Sequence, residues 1–178
     1  MSNAAKTITI SGPPGSGTTT VAKLLGARLG LRYVNTGQIF RELAHEHGMS
    51  LPEFGHYACE HREVDDELDK RQLEIAHSGS VILEGRLAGH LTERHRVEAL
   101  RVFIDADPKI RAARIAQRDG QDVAQAFTQM SERATLERQR YLEHYDIDIE
   151  DTSIYHLVLD SSAASPQNLA EEIAHEHG

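Results

Sequence analysis

Residues Gly12-Pro13-Pro14-Gly15-Ser16-Gly17-Thr18-Thr19 set glycines around a four-residue gap and close on paired hydroxyls. This matches the phosphate-loop pattern G-x-x-x-x-G-K-[ST] at every fixed position but one. Glycines let successive backbone N–H groups curl around a polyphosphate, and a helix opening behind them adds a favourable dipole. Residues Gly12, Pro13, Pro14, Gly15, Ser16, Gly17, Thr18, Thr19 and Thr20 are the expected nucleotide cradle, with Thr19 placed to ligate Mg²⁺. Thr18 stands where the pattern has lysine and brings no charge to the phosphates. Lys23 is a poor substitute, since five residues carry it about 140° around the helix. An arginine from elsewhere, Arg114 first, is the better candidate. Two blander readings remain: a ligand-free glycine turn, and a loop that binds nucleotide with little turnover.

A second anion site needs fixed cations. Thr36-Gly37-Gln38-Ile39-Phe40-Arg41 follows a short apolar run and puts Arg41 one turn into a helix. Glu84-Gly85-Arg86 follows another such run, at the sheet edge where open α/β folds bind ligands. Arg41 taken alone reads first as an ordinary exposed helix arginine. Glu84 either orients metal-bound water or caps its strand. Arg133, Glu137 and Arg140 share one helix face, as phosphate ligands or as a solvated ion pair. Arg114 and Arg118 precede the Asp119-Gly120 turn, so the turn could join two arginine-bearing arms of a lid. The 11 histidines form no convincing metal-ligand pattern.

These residues need a scaffold. Residues 7–11, 31–35, 81–83, 100–104 and 156–159 read as strands, and helical stretches fill the gaps. Val21, Leu24, Leu25 and Leu29 share a face of the first helix, and Gly30 ends it. Ser50-Leu51-Pro52-Glu53 is a capping box, and Asp107-Pro108 and Ser165-Pro166 open later helices. A long polar helix runs from about Asp122 into the 140s. The result is an α/β fold: a five-stranded parallel sheet with helices on both faces. Ala44-His45-Glu46-His47-Gly48 recurs at residues 174–178, and both copies read as helix-ending chemistry.

Composition sets the outer limits. The 178 residues suit one domain, 39% hydrophobic and 26% charged. A net charge of −9 argues against coating nucleic acid or an anionic membrane. Only Lys6, Lys23, Lys70 and Lys109 are lysines, so 15 of the 19 basic residues are arginine, the bidentate phosphate ligand. The single cysteine, Cys59, forms no internal disulfide. No apolar run nears a membrane span's length. The expectation is a cytoplasmic monomer, with no structural weight given to Met1-Ser2-Asn3-Ala4.

The chain resembles the nucleoside monophosphate kinases, most closely the archaeal-type cytidylate kinases. The likeness is carried by ITISGPPGSGTTTVAKLL, YVNTGQIFREL, MSLPEFGHYACEH, DDELDKRQ, VILEGRLAG and RYLEHYDIDIEDTSIYHLVLDSS. It implies a three-layer P-loop kinase sandwich with core 5–35, 79–118 and 133–178. It further implies acceptor-binding helices at about 36–78 and a short lid at about 119–132. The implied reaction moves the γ-phosphate of ATP, with Mg²⁺, to CMP, and also to dCMP or UMP. The resemblance puts Thr36, Arg41, Arg86 and Glu137 on the acceptor and Arg114, Arg133 and Arg140 around the transferred group. Thr19 and, through water, Glu84 would hold the metal. Leu87 replaces the aspartate of bacterial relatives, so their base recognition does not carry over. Rival readings are a small-metabolite kinase and a nucleotide sensor.

Overall fold

The computed structural model describes residues 7–178; residues 1–6, with the Met1-Ser2-Asn3-Ala4 opening, lie outside the described residues. Its elements are β1 (Thr7–Ser11), α1 (Thr18–Leu29), β2 (Arg32–Asn35), α2 (Thr36–Glu46), α3 (Leu51–Glu60), α4 (Arg62–His77) and β3 (Val81–Glu84). There follow α5 (Ala88–Arg94), β4 (Ala99–Asp105), α6 (Pro108–Asp119), α7 (Val123–Tyr145), β5 (Leu157–Asp160) and α8 (Pro166–His177).

All five strands are parallel, in the order β2-β3-β1-β4-β5. β1 is central and buried throughout, so the Thr7, Thr9 and Ser11 that alternate with Ile8 and Ile10 lie in the interior as well. Ile8 and Ile10 pack with Val21 and Leu25 of α1 and Leu169 and Ile173 of α8. On the opposite face, the Thr7 hydroxyl donates to the Ala76 carbonyl of α4 at 2.7 Å. Leu83, Ala76 and Ala88 form a smaller core there. This is the expected sheet between two helical layers.

Register decides what the sheet edge carries. Ile10 lies level with Glu84, and Asn35 lies level with Glu84 on the next strand. The chain therefore leaves three neighbouring strands side by side, at Gly12, Thr36 and Gly85. Crossovers reverse direction around β1, which opens a crevice at that edge.

Predicted helix boundaries reappear closely. The capping box forms: the Ser50 hydroxyl accepts from Glu53 N–H at 3.4 Å, and Ser50 N–H donates to the Glu53 carboxylate at 2.8 Å. Both Ala-His-Glu-His-Gly copies sit at helix ends, α2 and α8. One element escaped the periodicity, α5. It has seven residues, and Ala88 to Thr92 are buried on all sides, so no polar face exists to reveal it. Between α6 and α7, Gly120 takes the left-handed conformation at φ 65°. Asp122 then caps α7 by accepting from the Ala124 and Gln125 amides. Residues 119–132 are thus the end of α6, a short turn, and the first turns of α7.

Candidate active site

The loop after β1 is held from below. The Ser16 hydroxyl donates to the Pro13 carbonyl at 2.7 Å, curling the loop on itself. Gly15 (φ 82°) and Gly17 (φ 87°) occupy left-handed backbone that side chains disfavour. The Gly15 Cα also lies against Arg111, so an added Cβ would fall 2.7 Å from its carbonyl oxygen. Arg114 donates to the Gly15 carbonyl at 3.2 Å and to the Ser161 hydroxyl and carbonyl at 3.0 and 2.7 Å. Ser161 in turn donates to the Ser16 carbonyl at 2.6 Å. Arg111 adds a longer contact to the Pro14 carbonyl at 3.4 Å. These bonds tie down the loop's carbonyls, and the Ser16 amide is itself spent on the Pro13 carbonyl at 3.2 Å. α1 opens with no side-chain cap and no acidic residue in its first turn, leaving its N-terminus available to an anion.

Glu84 is the hub of the floor. Its carboxylate, 7% exposed, accepts from Thr18 at 2.7 Å, Thr19 at 2.8 Å, Asn35 at 2.8 Å and also from Tyr33. Burial, reinforced by this carboxylate, pushes the Tyr33 phenol up to about 12. Thr18 therefore belongs to the carboxylate network rather than to any cation. Lys23 is exposed on α1. Thr19 and Glu84 together offer hard oxygen donors of the kind Mg²⁺ takes alongside nucleotide phosphates. Among the described residues, no group of three or more His, Cys, Asp or Glu is placed to hold a metal ion by itself.

Arginines line the other wall of a cleft of about 1010 Å³. Arg86 donates to the Gly12 carbonyl at 2.7 Å and pairs with Glu137 at 2.9 Å. Arg133, itself 70% exposed, holds the other Glu137 oxygen at 3.0 Å. Glu137 is the counter-ion between two cations. Arg140 instead turns to α4 and pairs with the buried Asp65, which His144 also approaches at 3.3 Å. Arg41 borders the cleft, exposed. The Thr36 hydroxyl spans the Gln72 side chain and the Glu84 carbonyl, both at 3.0 Å. An added Cβ on Gly85 would collide with Thr36, so Gly85 must be bare for this approach.

The cleft brings together Gly12, Pro13, Pro14, Gly15, Gly17, Thr18, Thr19, Thr20, Thr36, Arg41, Glu84, Arg86, Arg114, Arg133, Glu137 and Arg140. Ser16 is buried beneath the loop. Sequence reasoning left out Tyr33 and Asn35, whose part depends on strand register. It also left out Asp65, Leu68, Asp69 and Gln72. Their i, i+3, i+4, i+7 spacing on α4 was a legible signal of one shared face.

Residues 7–163 match the cytidylate kinase-like family. The chain is 46% identical over 162 residues to the cytidylate kinase of Pyrococcus horikoshii, covering 91% of this chain and 83% of that protein. It is 47% identical over 156 residues to the cytidylate kinase of Methanocaldococcus jannaschii, covering 87% and 88%. This chain belongs to the cytidylate kinase-like family. As a member of that family it is an ATP-dependent phosphotransferase. Solved structures agree on the fold alone. An uncharacterized protein from Eubacterium ventriosum superposes with TM-score 0.76 at 16% identity, over 97% of this chain and 98% of that one. The shikimate kinase of Acinetobacter baumannii in complex with shikimate gives 0.57 at 15% identity, over 96% and 92%. Among the described residues, no helix is long and apolar enough to cross a membrane.

Proposed function

We propose that this kinase transfers the γ-phosphate of ATP to CMP in the cleft between the glycine loop and the arginine wall. The observation that carries the reading is one cleft lined both by the glycine loop and by Arg41, Arg86 and Arg133. A kinase whose acceptor carries no phosphate, of the shikimate or gluconate type, needs only one phosphate site. Two phosphates held face to face need little covalent help, because positioning and charge neutralisation supply most of the rate.

Residues 12–20 hold the ATP phosphates. Thr19 and, through water, Glu84 would hold Mg²⁺, which when bound would draw charge from the nucleotide phosphates. Arg41, Arg86 and Thr36 hold the CMP phosphate and its surroundings. Glu137 occupies the space between Arg86 and Arg133 until a phosphate competes for those cations. Arg133, 70% exposed, is free to follow the transferring group. Arg114 acts by shaping the loop, and Arg140 by tying α7 to the acceptor-side helix α4. Residues 36–78 serve as the acceptor-binding insertion, and the α6–α7 junction at 119–132 as the lid. The kinase acts as a monomer in the cytoplasm.

A coupled assay of ADP formation tests this across CMP, dCMP, UMP, AMP, GMP, shikimate and gluconate. CMP is expected to give the highest kcat/KM, with dCMP next. Turnover of shikimate or gluconate without CMP would overturn the reading. ATP binding with no ADP formed from any acceptor would establish a sensor instead.

A further inference from the structure

We infer that Asp69 and Gln72 read the acceptor's base, Asp69 accepting from the exocyclic amine of cytosine; this rests on the CMP reading above. The argument begins with α4. Asp65, Leu68, Asp69 and Gln72 lie at i, i+3, i+4 and i+7, the stripe a helix ordinarily gives to a hydrophobic core. Here three of the four are polar, and all four border the cleft. Polar groups held away from water are costly unless they are matched. Asp65 is matched within the protein, by Arg140 and His144.

Asp69 is not fully matched. Tyr145 hydrogen-bonds its carboxyl, and the Gln72 amide lies at a marginal 3.5 Å. Burial, with Asp65 and Asp66 nearby, raises the Asp69 carboxyl to about 7. A carboxylate accepts through two oxygens and about four lone-pair sites, so acceptor capacity is left facing the cleft. Gln72 is 2% exposed and has its Oε1 engaged by Thr36; its Nε2 carries two hydrogens, and the long 3.5 Å contact to Asp69 takes at most one of them.

The order along α4 fits one base edge. Gln72 is tied through Thr36 to the end of β3, two residues before Arg86 and so closest to the phosphate cations. Asp69 stands one helical turn farther from that edge. Cytosine presents O2 next to its sugar, then N3, then the N4 amine farthest out. A donor followed by an acceptor therefore meets acceptor, then donor. Uracil carries a carbonyl at position 4, whose lone pairs would meet the acceptor oxygens of Asp69 instead of an amine donor, a mismatch complete once the carboxyl ionises above about 7. Phe40 and Tyr141 supply flat apolar surface beside the base.

Asp69→Asn keeps the shape and offers a donor to position 4. With ATP saturating, kcat/KM for CMP is expected to fall about tenfold or more, and the CMP-to-UMP ratio to collapse by a similar factor. ATP affinity, measured directly, reports that the variant is folded. In parallel, the wild-type protein is titrated with N4,N4-dimethyl-CMP, which has no amine hydrogens. Loss of about tenfold or more in its affinity relative to CMP supports the assignment even where the variant does not fold. A CMP-to-UMP ratio unchanged in Asp69→Asn, or equal affinity for CMP and its dimethyl form, overturns the base assignment alone. Wild-type protein inactive on CMP overturns the functional reading, and this assignment with it.

Discussion

Thr18 donates its hydroxyl to Glu84 at 2.7 Å, so the residue at the lysine position of the loop serves the carboxylate on β3 instead of a phosphate. Thr19 donates to the same oxygen at 2.8 Å. The two hydroxyls fix the rotamer of the acid that faces the expected metal. Position 18 has exchanged a mobile charge for rigidity in the metal-binding floor.

Thr18→Val removes that hydrogen bond while keeping the side-chain shape. A hydrogen bond to a charged group contributes about 1.5–3 kcal/mol. The Mg²⁺ dependence of ADP formation should shift to higher concentration and kcat should fall about tenfold, with affinity for metal-free ATP little changed. A Mg²⁺ titration of initial rates in the two proteins checks this.

Arg114→Ala takes the prop from beneath the loop, since Arg114 spends its donors on Gly15 and Ser161. ATP affinity should drop by about 1.5–3 kcal/mol while CMP affinity holds. Thr18→Lys should not rescue this variant, because a cation at position 18 restores no support to the loop. Calorimetric titration of the single and double variants decides it; strong non-additivity would make Arg114 the functional replacement for the lysine.

Arg41 and Arg86 should separate. Each change to alanine should weaken CMP by about 1.5–3 kcal/mol, the scale of a charge-assisted hydrogen bond. Arg86 also holds the Gly12 carbonyl at 2.7 Å, so only Arg86→Ala should weaken ATP as well. Paired ATP and CMP titrations of both variants measure the difference.

Gly89→Ala should destabilise the fold without touching the cleft. An added Cβ would enter the Tyr155 ring, which packs over α5 beside Phe103 and His90. Overpacking of this kind costs about 1–3 kcal/mol. Thermal melting should record the loss, and shrinking the ring with Tyr155→Leu should return part of it.

Asp69 also predicts a pH signature in stability. Burial lifts the folded Asp69 carboxyl from the ordinary aspartate 3.8 to about 7, so the folded state binds the proton more tightly. The folded state then holds more protons than the unfolded state between those values, and this contribution is fully present below about 4 and lost as pH rises through 7. Asp69→Asn abolishes it. The melting temperature of the variant minus that of the wild type should therefore increase from pH 5 to pH 8. A flat difference would place Asp69 in open solvent.

The elements and the loop were legible because they rest on local chemistry. β1, α1 and the glycine turn between them follow from apolar runs, helix periodicity and backbone that only glycine adopts easily. Caps at Ser50, Asp107, Asp122 and Ser165 form over two or three residues, so a short stretch of sequence contains the whole interaction. Arg41, Arg86 and the Arg133/Glu137/Arg140 face could be named because charge at a strand end or on one helix face has few uses. Partners were another matter. Whether Glu84 met Thr18 or a strand cap depended on the register of β3 against β1 and β2, which no local pattern contains. Arg114 and Arg140 looked alike in sequence, yet one props a loop through carbonyls 47 and 99 residues away and the other pairs with an aspartate 75 residues away. Arginine presents the same fork to a phosphate, a carbonyl or a carboxylate, so only the packing of α6 and α7 against the sheet and α4 decided which it met. The same packing turned the polar stripe of α4 into the cleft rather than toward water.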